Sequence, residues 1–148
     1  MKTNQSIKLF FLTLILLGVL GSCEAPKKKA NFVKLNLLQI NDVYEIEAIE
    51  NGKYGGMARV ATLKKNLKKV NPNTWMVLSG DFINPSVYGT LKFEGKAIKG
   101  KQMIEAMNAA KVDFVTFGNH EFDVREDELL SRLNESEFEW IATNASVV

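Results

Sequence analysis

The chain has a single cysteine and a single histidine in 148 residues. With no second cysteine there is no intrachain disulfide, so an exported form of this domain must be held by packing alone. No apolar run reaches the roughly 20 residues that a bilayer-spanning helix needs. No internal repeat or low-complexity segment is present, which excludes solenoids and arrays. An excess of one charge is also missing. The chain carries 19 basic and 17 acidic residues, and removing the first 22 residues takes away Lys2 and Lys8 but no acid, leaving 17 of each. A mature chain without net charge lacks the basic surplus of a nucleic-acid binder, so no nucleic-acid polymer is expected as a partner. The length suggests one domain or part of one.

What is present begins with an address. Lys2 and Lys8 precede the apolar stretch Leu9 to Leu20, and Leu20-Gly21-Ser22-Cys23 closes it. A basic start, a short apolar stretch and small residues before a cleavage point make a secretory signal over residues 1–22. Leu-Gly-Ser-Cys resembles a bacterial lipobox, in which Cys23 receives a diacylglycerol and becomes the mature N-terminus. The other reading of Cys23 is a buried free thiol acting as a small hydrophobe. Residues 23–31, with Pro26 and Lys27-Lys28-Lys29, read as a solvated tether that can also touch anionic headgroups. The expectation is an exported protein, lipid-anchored to a bacterial membrane, with the outer membrane or periplasmic face favoured because Glu24 follows the cysteine.

From residue 32 onward, strand and helix patterns alternate. Phe32 to Ile40 predicts a first strand. Gly55-Gly56 open a helix with Met57, Val60, Leu63, Leu67 and Val70 on its apolar face and Lys64, Lys65, Lys68 and Lys69 on the solvated side. Asn71-Pro72-Asn73 stops it. Trp75 to Leu78 predicts a second strand, followed by a polar connection through Pro85, Gly89 and Gly95. A helix near Lys101 places Met103 and Met107 as core packing. Val112 to Phe117 predicts a third strand, Arg125 to Leu133 a helix, and Phe138 to Thr143 a fourth strand. The order βαβαβαβ predicts an α/β fold, a mostly parallel sheet with flanking helices. Right-handed crossovers bring all the strand carboxyl ends to one edge.

Three of those strands end in ligand-type residues at nearly the same offset. The first gives Asn41-Asp42, the second Gly80-Asp81, and the third Gly118-Asn119-His120-Glu121-Phe122-Asp123. The crevice at the carboxyl ends of strands is the usual ligand site of an open α/β sheet. Two carboxylates, an amide oxygen and an imidazole suit divalent ions such as Mn²⁺, Zn²⁺ or Fe²⁺. Each aspartate alone also reads as a turn residue or helix cap. Asp123 with Glu126 three residues on resembles a capping box.

These blocks resemble the first three blocks of the calcineurin-like metallophosphoesterases, Asp-x-His, Gly-Asp and Gly-Asn-His-Asp/Glu. Gly-Asn-His-Glu-Phe-Asp behind a lipoprotein signal, with Gly55-Gly56-Met57-Ala58-Arg59 after the first block, is similar to the bacterial 5′-nucleotidase and UDP-sugar hydrolase branch. The resemblance covers Leu35 to Asn144 and implies the N-terminal half of an αββα sandwich over residues 32–148. It implies two divalent metal ions: Asp42 on the first, Asp81 bridging both, Asn119 on the second. His120 then stabilises the transition state or protonates the leaving oxygen, with Asp123 as its dyad partner. The implied substrate is a nucleotide, a nucleotide sugar, a cyclic nucleotide or another phosphate ester.

Two departures qualify the resemblance. Tyr44 stands where the first block has histidine, and a neutral phenol is a poor ligand for Zn²⁺ or Mn²⁺. Histidines of later blocks, including a Gly-His-x-His segment, and the separate C-terminal domain that holds the base are also wanting. The 148-residue chain alone is therefore expected to be inactive. Two other readings stand beside the nucleotidase: a thiosulfohydrolase on the same metal core, and a lipoprotein that binds metal or nucleotide without turnover.

Overall fold

The computed structural model describes residues 31–143. The signal segment, Cys23 and most of the tether lie outside the described residues. Among the described residues no helix is long and apolar enough to cross a membrane.

Strand β1 (Asn36–Ile40) leads into a small antiparallel hairpin of β2 (Ala48–Ile49) and β3 (Tyr54–Gly55). Helix α1 (Met57–Val70) follows, then β4 (Thr74–Leu78). A second antiparallel hairpin, β5 (Lys92–Phe93) with β6 (Lys96–Ala97), precedes helix α2 (Lys101–Ala110). Strand β7 (Phe114–Val115), helix α3 (Glu126–Glu135) and β8 (Glu139–Trp140) complete the order. The main sheet runs β1-β4-β7-β8, and every pairing in it is parallel. The expected α/β class and parallel sheet are therefore found. Neither small hairpin was expected, because two-residue strands are too short to show a period of two.

The first and third strands are shorter than the sequence expectation, while the second begins one residue earlier, at Thr74. The first strand begins at Asn36 rather than Phe32, and the third is Phe114–Val115 rather than Val112 to Phe117. Apolar β-branched residues continue beyond the ladder, but pairing requires a neighbour. Single backbone bonds still extend it: Asp113 N–H donates to Met76 O, and Thr116 N–H to Leu78 O.

Strand β4 is the axis of the core. Thr74, Met76 and Leu78 are buried, while Trp75 and Val77 between them are only half-buried, the alternation expected of a strand with one covered face. Against Met76, Leu78 and Val115 pack Met103, Ile104 and Met107 of α2, all fully buried. The methionines are core, as their spacing predicts.

The apolar face of α1 is a correction. Leu63 and Val70 are exposed, whereas Lys64 is buried at 4% exposure. At about 100° per residue, Lys64 returns to the meridian of Met57 while Leu63 lies about 120° away. The apolar positions at 57, 60, 63, 67 and 70 spread over about 140°, and the buried meridian of Met57 and Lys64 lies at one end of that arc. Lys64 Nζ is 2.5 Å from Asp113 Oδ2 and also donates to the Lys111 carbonyl. Asp113 Oδ2 in turn accepts the Met76 N–H at 2.7 Å. A lysine can enter the core here because its charge is paired and hydrogen-bonded.

Under the carboxyl end of the sheet lies an aromatic cluster. Trp140 stacks on Phe117 at 4.6 Å and on Phe82 at 5.8 Å between centroids, and Phe122 contacts Phe117 at 5.5 Å. These offset ring pairs support the two loops that follow β4 and β7.

Candidate active site

The carboxyl ends of β1, β4 and β7 meet along one rim. Pairing continues past the strands: Ser79 N–H donates to Ile40 O at 2.9 Å, and Asp42 N–H to Gly80 O at 3.2 Å. The first and second exits are therefore in direct backbone contact. The second and third are closer still. A Cβ on Gly80 would overlap the Gly118 backbone, and a Cβ on Gly118 would overlap the Asp81 carboxylate. Gly80 also has φ +82, a left-handed conformation suited to a residue without Cβ.

Asp42 and Asp81 share an uncommon backbone, with φ 51 and 58. Non-glycine residues rarely adopt this region, and such outliers gather at functional sites. It turns both carboxylates out of the strands at the rim. Asp42 Oδ2 lies 2.5 Å from Asn41 Nδ2, and Oδ1 accepts the Tyr44 hydroxyl at 3.2 Å. Asp81 Oδ1 accepts the His120 N–H at 2.9 Å. Tyr44 is thus a neighbour of Asp42, with its ring edge-on to His120 at 6.1 Å. Desolvation holds the phenol above its ordinary value of 10.0, reinforced by the hydrogen bond to Asp42 and the charges of Asp42, Asp81 and Glu121.

His120 to Asp123 form one short 3-10 turn, in which residues three apart lie on one side. His120 Nδ1 is 2.6 Å from Asp123 Oδ2. That contact raises the imidazole above 6.5, against an opposing desolvation. It lowers Asp123 below 3.8, with Asn84 adding to the effect. The capping-box reading of Asp123 is a correction. Helix α3 is begun by Arg125, whose backbone N–H donates to Glu128 Oε2 at 3.2 Å. Asp123 is engaged by the histidine instead.

Asn119 is exposed on the same rim, at the start of this turn. Asp42, Asp81, Asn119, His120 and Asp123 are therefore brought to one edge. Cys23 lies outside the described residues.

Two residues emerge that the sequence reading left without a role. Glu121 is fully buried, and its carboxylate accepts backbone N–H groups from Asp81, Phe82, Ile83 and Gly118. In the sequence it stands between His120 and Phe122 in a polar segment, and nothing local marks it as buried. Asn84 donates to Asp123 Oδ2 at 3.2 Å; it is 39 residues away in a polar connection, and no local pattern marks it.

The donor set is one of hard oxygens: Asp42, Asp81 and the Asn119 amide, turned outward at one edge. Such donors fit a divalent cation. Among the described residues, however, no three His, Cys, Asp or Glu side chains form a group able to hold a metal by themselves. The rim supplies part of a coordination shell. A hollow of about 300 Å³ opens beside it, lined by Asp42, Tyr44, Glu47, Ile49 and Met57 among others.

Comparison with known proteins follows the same lines. The profile of the calcineurin-like phosphoesterases matches residues 35–147. A snake venom 5′-nucleotidase of Gloydius brevicauda is 32% identical over 119 residues, spanning 74% of this chain and 19% of that protein. The NAD 5′-nucleotidase of Haemophilus influenzae is 31% identical over 143 residues, or 89% of this chain and 23% of that one. The solved structure of the H. influenzae NAD nucleotidase superposes with a TM-score of 0.65 at 30% identity, over 76% of this chain and 21% of that chain. A 5′-nucleotidase precursor from Thermus thermophilus superposes at 0.64 with 24% identity, over 74% of this chain and 22% of that one, and shows the fold alone. The chain thus spans 19% and 23% of the length of those two curated relatives.

Proposed function

The chain belongs to the calcineurin-like phosphoesterases, and from that premise we propose that the whole protein is a metal-dependent phosphohydrolase of nucleotides, a 5′-nucleotidase in type. The observation that carries this reading is the 2.6 Å contact of His120 with Asp123, beside a rim with two outward-turned aspartates. The 5′-nucleotidase relatives support the substrate class.

Asp42, Asp81 and Asn119 would hold two divalent ions, Mn²⁺, Zn²⁺ or Fe²⁺, together with ligands from beyond these residues. When bound, such a pair lowers the pKa of a water and offsets charge on the phosphoryl oxygens. The chain's own residues do the rest. Asp123 holds His120 through Nδ1, which leaves Nε2 for the substrate. Raised above 6.5 by that contact, the imidazole holds a proton better than a free one and can deliver it to the departing ester oxygen. Asp123 stays ionised and fixes the ring's tautomer and direction, the role of a carboxylate behind a catalytic histidine.

The test is phosphate release from AMP by the full-length protein with Mn²⁺ or Zn²⁺. Turnover is expected, removed by a chelator and lowered at least about 10²-fold by His120→Ala. Full-length protein that binds metal and AMP without releasing phosphate would favour the non-catalytic reading instead. Residues 23–148 alone are expected to show little activity, since the rim holds only part of a metal shell.

The address belongs to the same proposal. Cys23 is the lipidated N-terminus of an exported protein, held at a bacterial membrane with the outer membrane or periplasmic face favoured. Cys23→Ser should shift the protein out of the detergent phase; unchanged partitioning would remove the anchor.

A further inference from the structure

We propose that Glu121 is the positioning residue of this site, fixing the loop of Asp81 against the loop of His120 through its buried carboxylate. The inference rests on the phosphoesterase reading above and adds to it a residue that touches neither substrate nor metal.

The geometry is a reciprocal clasp. Glu121 Oε1 accepts the N–H groups of Phe82 and Ile83 at 2.8 and 3.2 Å. Oε2 accepts those of Asp81 and Gly118 at 2.8 and 2.7 Å. The loop after β7 thereby grips three consecutive amides of the loop after β4. In return, Asp81 Oδ1 grips the His120 N–H at 2.9 Å. Neither loop can shift without breaking bonds to the other. The carboxylate is fully buried, with no salt bridge to a basic side chain among the described residues. Its four partners are backbone N–H groups, two on each oxygen.

The bonds fall where precision matters. Asp81 stands at φ 58, away from its preferred backbone, and Glu121 holds its own N–H and the next two. The same run ends one residue before Asn84, which reaches Asp123. Glu121 therefore acts on the rim aspartate directly and on the His120–Asp123 pair through both of its flanks. Groups behind a first set of ligands typically change metal affinity or activity by 10–100-fold when altered.

Glutamine at this position tests the clasp, because its NH₂ would face two N–H donors that now meet an oxygen. In the full-length protein, Glu121→Gln is expected to weaken Mn²⁺ binding about tenfold, read from free Mn²⁺ by electron paramagnetic resonance, and to lower kcat on AMP about tenfold. KM at saturating metal should move little. A merely structural carboxylate would lower the unfolding temperature yet leave Mn²⁺ affinity and kcat per folded molecule unchanged below it; that result overturns the proposal. If the glutamine variant does not fold, Glu121→Asp decides. It keeps the charge but is too short to reach both loops, so weaker Mn²⁺ binding supports the clasp and wild-type binding refutes it. Wild-type protein that neither binds Mn²⁺ nor releases phosphate would fail the phosphoesterase reading itself, and this inference with it.

Discussion

The Tyr44 hydroxyl donates to Asp42 Oδ1 at 3.2 Å, while Asn41 Nδ2 lies 2.5 Å from the other oxygen. Both oxygens of the first rim carboxylate are thus already engaged by the protein. A cation arriving there must share or displace these donors, and at position 44 it meets a phenol in place of an imidazole. Tyr44→His replaces a competing donor with a nitrogen ligand and is expected to strengthen Mn²⁺ binding roughly tenfold, with a matching gain in activity of the full-length protein at limiting metal. Tyr44→Phe only frees one oxygen and should change little. Without metal the phenol is neutral, its pKa held above 10.0, and as a neighbour of Asp42 rather than a ligand it should give no visible charge-transfer band with Fe³⁺. An iron-loaded, coloured protein bleached by Tyr44→Phe would reverse this assignment.

The His120–Asp123 contact makes a pH prediction. A raised histidine contributes stability that is complete below its unfolded value near 6.5 and is lost as pH rises through the folded value above it. A lowered aspartate contributes above its unfolded value of 3.8, and loses that contribution as pH falls through the folded value below it. The pair is strongest between these two limits. His120 is the only histidine of the chain, so its imidazole NMR signal is unambiguous in the 148-residue form. The midpoint should lie above 6.5 and fall in Asp123→Asn. In the full-length protein the same substitution should move the alkaline limb of the activity profile to lower pH. An unmoved midpoint would show that the contact does not hold the charged ring.

How much of this was legible in the sequence follows from what each element depends on. The parallel sheet was legible because β1, β4 and β7 are marked by their own apolar runs and by glycine or asparagine at their exits. The rim aspartates and the histidine were legible for the same reason. Residues whose partners are distant in sequence were not. Lys64 looked solvated until Asp113, 49 residues on, supplied its partner. Glu121 was visible as a carboxylate but not as an acceptor of four amides, since three of those lie on another loop. The hairpins β2–β3 and β5–β6 left no trace, because two residues cannot declare a period.

Lys64 carries a stability prediction. Lys64→Met keeps the volume but removes the cation from a half-buried carboxylate. Asp113 keeps the Met76 N–H and is partly solvated at 22% side-chain exposure, so the cost should fall at about 1–3 kcal/mol rather than at the full value for a dry pair. Lys65→Met, on the exposed side of the same turn, should stay within about 0.5 kcal/mol. Urea unfolding of both variants measures the difference. Equal effects would mean that the buried ion pair contributes nothing net.

Asn84 carries the last prediction. Its Nδ2 reaches Asp123 Oδ2 at 3.2 Å, the same oxygen that His120 Nδ1 contacts at 2.6 Å. A carboxylate held from two sides has less freedom to rotate away from the ring than one held by the ring alone. Asn84 also comes one residue after Ile83, whose N–H is fixed by Glu121, so its position is set by the buried end of the loop. Removing the amide should loosen the direction of Asp123 without removing the dyad. In the full-length protein, Asn84→Ala is expected to lower kcat on AMP by about three- to tenfold, as expected for one solvent-exposed hydrogen bond of roughly 1 kcal/mol. KM and Mn²⁺ affinity should hold, because Asn84 is not among the rim oxygens assigned to metal. Asn84→Asp should be worse than Asn84→Ala, since a second carboxylate beside Asp123 replaces attraction with like-charge repulsion and favours a ring that no longer faces the substrate. A kcat unchanged in Asn84→Ala, or an aspartate variant as active as the wild type, would show that Asp123 is held by His120 alone.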